Sequence, residues 1–189
     1  MKLAIVAFSV MSIAASGAVE GNAASPVRVI SFESLQCGDC AVYRNMLDRD
    51  LLPKYGARVA FEHRDFPLPK HAWSRPAAIA ARHFDKVQPS LGLNFRRWAL
   101  TNIASITAEN FEAQLRAWAE KNGQSADAAV KALSNPELGR AVTEDLQDGV
   151  ARGISRTPTV LVNGQPFIER FTAEELSAAI DAALAEIRK

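Results

Sequence analysis

An α/β fold with an all-helical block set into it is predicted by three features of this 189-residue chain. β-rich runs stand near both ends, at residues 27–32 and 159–162. Between them, from about residue 74 to 150, the apolar spacing is helical almost throughout. The last β run meets an Asn-Gly pair and then an amphipathic helix. The element order is therefore β-α-β, a helical stretch, then α-β-β-α.

Size and composition agree with one soluble domain. Hydrophobic residues make up 48% and charged residues 23%, ordinary values for a globular chain. At this length folding buries roughly 70% of the chain's surface, so the core needs neither a disulfide nor a metal. Lys and Arg number 22 against 21 Asp and Glu, a net charge of +1. That balance supplies no field for nucleic acid or an anionic membrane surface.

The N-terminus has the form of an export signal. Lys2 is a minimal basic region, residues 3–15 are apolar and uncharged, and Ser16-Gly17-Ala18 are small. Cleavage is expected after Ala18, with Ala23 or Ala24 as alternative points. Residues 1–18 are therefore assigned to a signal peptide. The apolar run is shorter than the roughly 18 residues a spanning helix wants. Export places the chain in an oxidising compartment.

Each element follows from local chemistry. Residues 27–32 lack breakers and read as a buried strand. From Cys40 to about Lys54, Val42, Met46, Leu47 and Leu51 share a helix face, and Pro53 and Gly56 close it. Residues 58–66 alternate, with Val59, Phe61, His63 and Asp65 on one face. Helices are expected at 75–84, 93–102, 108–121, 126–134 and 136–152, with Thr107 and Ser125 as N-caps. Asn163-Gly164 signals a type I′ hairpin. Thr172 and Glu175 have the spacing of a capping box.

The chemistry centres on Cys37-Gly38-Asp39-Cys40, the chain's two cysteines, set where a strand gives way to a helix. So short a loop contributes little as a staple. The first turn of a helix carries unpaired N–H groups and partial positive charge. A thiol held there ionises more readily than a free cysteine, whose pKa is about 8.5. The thiolate is the species that attacks a disulfide. Cys37 is expected to be the exposed nucleophile and Cys40 the buried resolving thiol. A zinc site lacks a second pair of ligands, since His63, His71 and His83 form no motif with the cysteines. Far downstream, Thr157-Pro158-Thr159 leads into a strand, and X-Pro is where a cis bond is accessible.

Together these residues resemble the thioredoxin superfamily, and within it the DsbA-like branch. The resemblance rests on the strand into Cys37-Gly38-Asp39-Cys40, on Asp65-Phe66-Pro67-Leu68 with Ala77-Ala78-Ile79-Ala80-Ala81, and on Thr157 to Gly164. It implies a thioredoxin-like fold with an inserted all-helical subdomain. Residues 25–70 and 150–189 would form the core and 71–149 the insertion. It further implies a cis Thr157-Pro158 bond beside the cysteines, which binds an extended client segment.

Two departures from the family pattern bear on function. Gly38-Asp39 stands where many relatives carry Pro-His, so Asp39 should raise the Cys37 pKa relative to a His-bearing relative and weaken the oxidant. Ser31 stands where many relatives place a buried acid. Glu33, on the same strand face, could substitute or be solvated; the solvated reading is preferred. His71 follows the Pro67-Leu68-Pro69 turn and could lie near the active face, but for all three histidines an ordinary polar position is the preferred reading.

The resulting expectation is an exported thiol–disulfide oxidoreductase, a DsbA-like dithiol oxidase needing no diffusible cofactor or metal. Its partners would be cysteine-containing exported clients and a membrane redox protein of the DsbB or DsbD kind, with no nucleic acid, and it would act as a periplasmic monomer. The alternatives are a periplasmic reductase or isomerase, and a client-binding module without turnover.

Overall fold

A computed structural model describes residues 18–187. The signal-like segment 1–17 lies outside the described residues. The elements run β1 (Ala18–Gly21), β2 (Arg28–Glu33), α1 (Gly38–Met46), a π-helical segment (Leu47–Leu51), α2 (Leu52–Tyr55) and β3 (Ala60–Asp65). Then come α3 (Ser74–Val87), α4 (Pro89–Thr101), α5 (Phe111–Lys121), α6 (Ala126–Ala132) and α7 (Pro136–Ala151). The chain closes with β4 (Thr159–Val162), β5 (Gln165–Ile168) and α8 (Ala173–Glu186).

The five strands form one sheet in the order β1-β3-β2-β4-β5. β2 and β3 are parallel, while β1, β4 and β5 pair antiparallel with their neighbours. One sheet face, with Val29, Phe61, Val160 and Val162, packs on Tyr43, Leu47 and Leu51 and on Leu176 and Ile180 of α8. On the other face Phe32 and Phe66 meet α7. Gly149 makes that contact possible, because a Cβ there would lie 2.6 Å from the Phe66 ring.

Local signals act as the sequence predicts at several places. Asn163 and Gly164 take φ of 46° and 92° between the paired residues Val162 and Gln165. Thr172 and Glu175 form the capping box, and Ser125 caps α6 by accepting from the N–H of Ala128. Thr107 does not cap α5. Asn110 stands at that N-cap, and Thr107 accepts from the Asn110 N–H inside the preceding turn. The long helix after Cys37 is not uniform. Pro53 cannot donate to the carbonyl four residues back, and the π-helical segment at Leu47–Leu51 widens the backbone just before it.

β1 is a strand that the sequence reading does not contain. It extends the sheet ahead of residue 25, where the core was expected to begin. Ala18 pairs with His63 and Glu20 with Phe61. Cleavage after Ala23 or Ala24 would therefore remove an edge strand and, with it, Glu20, whose carboxylate pairs with Arg44, Arg97 and His63.

The helices α3 to α7 enclose their own aromatic core. Phe84, Phe95 and Trp118 lie with ring centroids 4.7–5.2 Å apart. Buried charge ties this block to the sheet. Asp65 at the end of β3 accepts from Arg82 of α3 and Arg96 of α4. Asp145 of α7 accepts from Arg64 at 2.9 Å, from the Asp65 N–H at 3.0 Å and from Arg82. Asp145 is fully buried. Removing one partner from such a cluster strands the others in low dielectric. Asp145→Ala should destabilise the fold by about 3–5 kcal/mol, read as a shift in the urea midpoint; a loss below about 1 kcal/mol would show that the cluster does not hold the block.

Candidate active site

Cys37 is the N-cap residue of α1, with extended backbone at φ −94° and ψ 124°. No side chain caps this helix end. The free N–H groups of Asp39 and Cys40 therefore reach the Cys37 sulfur instead. The loop before it is braced. The Cys37 N–H donates to the Ser34 carbonyl at 2.9 Å, and the Ser34 hydroxyl contacts Ser74 and His71, each at 2.7 Å. His71, expected to be an ordinary polar residue, thus supports the loop that carries Cys37. His83 does no such work; its ring lies against Phe84.

The Thr157-Pro158 peptide is cis. It brings the Thr157 carbonyl 3.3 Å from the Cys37 sulfur, which donates to it in the thiol form. The Thr157 hydroxyl is buried and has no acceptor. It is free to donate to the sulfur once the thiol has ionised. Cys37, Cys40, Thr157 and Pro158 are thus brought to one place. Gly38 and Asp39 are exposed beside them, and Asp39 lines the same groove. That groove has a volume of about 450 Å³ and is also lined by Leu68, Pro69 and Lys70.

The two thiols differ sharply. Cys37 was expected to be exposed, yet only 7% of its surface is open, because the cis-proline loop covers it from above. Its pKa is lowered to about 6, chiefly by the Cys40 thiol donating to it, with help from Thr157 and the helix-end N–H groups against the cost of partial burial. Cys40 is fully buried beside Trp73 and Leu35. Burial pushes its thiol well up, and the bond to Cys37 and the charge of Glu33 push it further.

Glu33 corrects the solvated reading. It is buried, accepts from Ser31, and contacts His63 Nδ1 at 2.9 Å. His63 Nε2 in turn meets Glu20 at 2.9 Å. Burial raises the Glu33 pKa, but the bond and charge of His63 outweigh it and hold the carboxyl below its ordinary range. Burial alone would discharge His63; its bonds to Glu20 and Glu33 keep it charged above the usual histidine range. Sequence reasoning missed this triad. Its signal was strand parity: Ser31 pairs with His63 across β2 and β3, so Ser31, Glu33 and His63 share a face.

The geometry is that of two thiols at a helix N-terminus opposite a cis proline on a five-stranded mixed sheet. A family model described as thioredoxin matches residues 14–182. The chain belongs to the thioredoxin family. Within it, the fold is that of DsbA-like proteins. BdbD from Bacillus subtilis superposes with a TM-score of 0.79 at 20% identity, covering 90% of this chain and 94% of that one. α-DsbA1 from Wolbachia pipientis gives 0.76 at 18%, covering 88% and 89%. Among curated proteins the chain is similar to Na(+)/H(+) antiporter NhaA 1 of Mycolicibacterium gilvum, 24% identical over 87% of this chain. It spans about a quarter of the length of that relative, 26%.

Because the reduced protein holds Cys37 as a thiolate above pH 6, alkylation of Cys37 should rise through about pH 6 and level off above it. Cys40→Ala removes the largest source of that lowering, so the midpoint should move up toward the ordinary thiol range. Iodoacetamide trapping against pH checks both; a Cys37 midpoint near 8.5 in the unaltered protein would contradict the geometry.

Proposed function

We propose that the chain is an exported thiol–disulfide oxidoreductase that works as a DsbA-like dithiol oxidase. The observation that carries this reading is the Cys37 sulfur, held at the α1 N-terminus and facing Thr157-Pro158. In the oxidised protein a client thiolate attacks the sulfur of Cys37. The Cys37–Cys40 bond breaks, a client–Cys37 bond forms, and Cys40 leaves as a thiolate that takes a proton. A second client thiolate then attacks the client sulfur of the mixed disulfide, and Cys37 leaves. The client gains one disulfide, and the protein takes up the two electrons as a dithiol.

Each residue has a part in these steps. Cys37 leaves readily because the Cys40 thiol, the helix-end N–H groups and Thr157 stabilise its thiolate. Cys40 is screened from outside thiols by its burial. Gly38 and Asp39 set the field in front of the nucleophile. Thr157 and Pro158 face it and would hold the client backbone by strand-like hydrogen bonds. The core would comprise residues 25–70, extended at its start by β1, together with 150–189. Residues 71–149 would form the inserted helical subdomain.

We place the protein in the periplasm, exported by residues 1–18, as a monomer acting on cysteine-containing exported proteins. A membrane redox protein of the DsbB kind would remove the two electrons; one of the DsbD kind would supply them if flow runs the other way. A Cys37 pKa of about 6 lies between roughly 3.5 for the strongest oxidase and about 7 for thioredoxin. It supports a couple more reducing than the strongest family members.

The potential against glutathione should therefore fall between about −120 and −270 mV. Asp39→His should make it more oxidising, because it removes a negative charge beside the thiolate. A variant no more oxidising than the parent would refute the role given to Asp39. Oxidation of reduced, unfolded ribonuclease tests the reading as a whole, and failure to catalyse it with the oxidised protein would overturn it.

A further inference from the structure

The loop that enters the active site is tied to the start of α3 by a run of hydrogen bonds. The Leu35 N–H donates to the Ser74 hydroxyl at 3.0 Å. The Ser74 hydroxyl contacts that of Ser34, and the Ser34 hydroxyl contacts His71 Nδ1, each at 2.7 Å. The Gln36 side chain accepts from the Trp73 N–H at 2.8 Å. Trp73 is the N-cap of α3, and its own side chain does not cap that helix. The loop thus does for α3 what a capping side chain does elsewhere. Ser34 and Ser74 are buried, while His71 is partly exposed.

The run has three contacts, Leu35 to Ser74, Ser74 to Ser34 and Ser34 to His71. With His71 neutral and its proton on Nε2, Leu35, Ser74 and Ser34 supply one proton to each contact, and the run ends on Nδ1 as acceptor. A proton on Nδ1 adds a donor with no contact left to fill. Among the described residues neither hydroxyl has another partner. One buried hydroxyl proton would then lack an acceptor, which folded proteins avoid. The contacts therefore select the neutral ring with its proton on Nε2. The surroundings act in the same sense. Partial burial and, after it, the Lys70 ammonium hold His71 below the usual histidine range. From α3 the ring meets no charge in this run, since Arg75 turns to Gly139 and Thr143. On the loop side Glu33, next to Ser34, is paired with His63. Ser34 in turn touches both cysteines. Its carbonyl accepts from the Cys37 N–H at 2.9 Å, and its N–H reaches the Cys40 sulfur, where it favours the thiolate.

We propose that His71 is a positioning residue for disulfide exchange, whose neutral ring fixes Ser34 against both cysteines and whose protonation at Nδ1 releases that hold. The proposal rests on the oxidoreductase reading and gives it an acid limit. When a thiolate attacks Cys37, the Cys37–Cys40 bond breaks and its electron pair goes to Cys40. The Ser34 N–H meets that developing charge. With Ser34 released, Cys40 is a poorer leaving group and the attack slows. His71 itself touches neither sulfur and passes no proton to them.

The test follows loss of the Cys37–Cys40 disulfide in the full oxidised protein on reaction with reduced glutathione, between about pH 4.5 and 8. Each rate constant is divided by the fraction of glutathione present as thiolate, so a remaining step belongs to the protein. The corrected rate should fall about fivefold toward acid, the factor that one hydrogen bond supports. Its midpoint should lie below the ordinary histidine value of about 6.5. His71→Asn keeps an acceptor near the place of Nδ1 and cannot titrate, so it should hold the upper rate without a step. His71→Ala should stay at the lower rate throughout. His63 and His83 are present in every variant, so a step lost in His71→Asn comes from His71. Nitrogen NMR of the imidazole rings should find the His71 proton on Nε2 at neutral pH. A flat profile in the unaltered protein, a step that persists in His71→Asn, or a neutral ring with its proton on Nδ1 would each overturn the proposal. If His71→Ala does not fold, the other three readings still decide. If the oxidised protein reacts with glutathione no faster than a simple linear disulfide does, the oxidoreductase reading falls, and the ring tautomer then judges the hold of His71 on Ser34 by itself.

Discussion

The contact between the Cys37 sulfur and the uncapped first turn of α1 is what the other features of the site depend on. A helix N-terminus leaves donors without intrahelical acceptors. Ser, Thr, Asp or Asn is the common choice to satisfy them. Here the N-cap residue is a cysteine, and no side chain caps the helix. The donors are left for sulfur, which satisfies them best as a thiolate. The loop held by Ser34, His71 and Ser74 keeps Cys37 at that end of the helix. From the other side, Thr157 closes over the same sulfur. A mutation that let this loop swing away would leave the helix end to water and the thiol near its ordinary pKa.

The second constraint is burial of charge. β3 is buried along its whole length although it carries Glu62, His63, Arg64 and Asp65. Every one of these has an ionic partner on another element. Glu62 meets Arg28 of β2, His63 meets Glu20 of β1, Arg64 meets Asp145 of α7, and Asp65 meets Arg82 and Arg96 of the helical block. A central strand of this kind cannot be placed before its neighbours arrive, because each unpaired charge would cost several kcal/mol. The strand therefore couples the position of the helical block to that of β1. The site lies between the helical block and the sheet, since Cys37 and Cys40 pack into the core of the helical block while Tyr43 of the α1 that carries them packs on the sheet.

How much of this could be read in advance depended on how local each feature is. The Asn163-Gly164 turn, the Thr172 capping box and the Ser125 cap are decided within four residues, and all three were legible. The cysteine pair and the proline loop were legible as motifs, and the structure brings them together across 120 residues. β1 was not legible. Three of its four residues, Ala18, Glu20 and Gly21, are poor strand formers, and the segment is a strand through its pairing with β3, far along the chain. The buried state of Glu33 and His63 was hidden for a similar reason. An acid on a strand normally faces water, and here the opposing partners come from β1 and β3. Thr107 was a reasonable cap by residue type, but Asn110 three residues later won the position.

The two thiols of the reduced protein share one proton in practice. Cys40 donates to Cys37, which lowers the one and raises the other, so the first ionisation belongs to the pair. A second ionisation is opposed by burial of Cys40 and by the Glu33 carboxylate. That carboxylate stays charged because His63 stands against it, clamped from its far side by Glu20. Glu20 is itself held by Arg44 and Arg97. The charges that bear on Cys40 thus reach from Glu33 through His63 and Glu20 to Arg44 and the partly exposed Arg97. Glu20, on a short N-terminal strand, therefore contributes to keeping the inner thiol protonated.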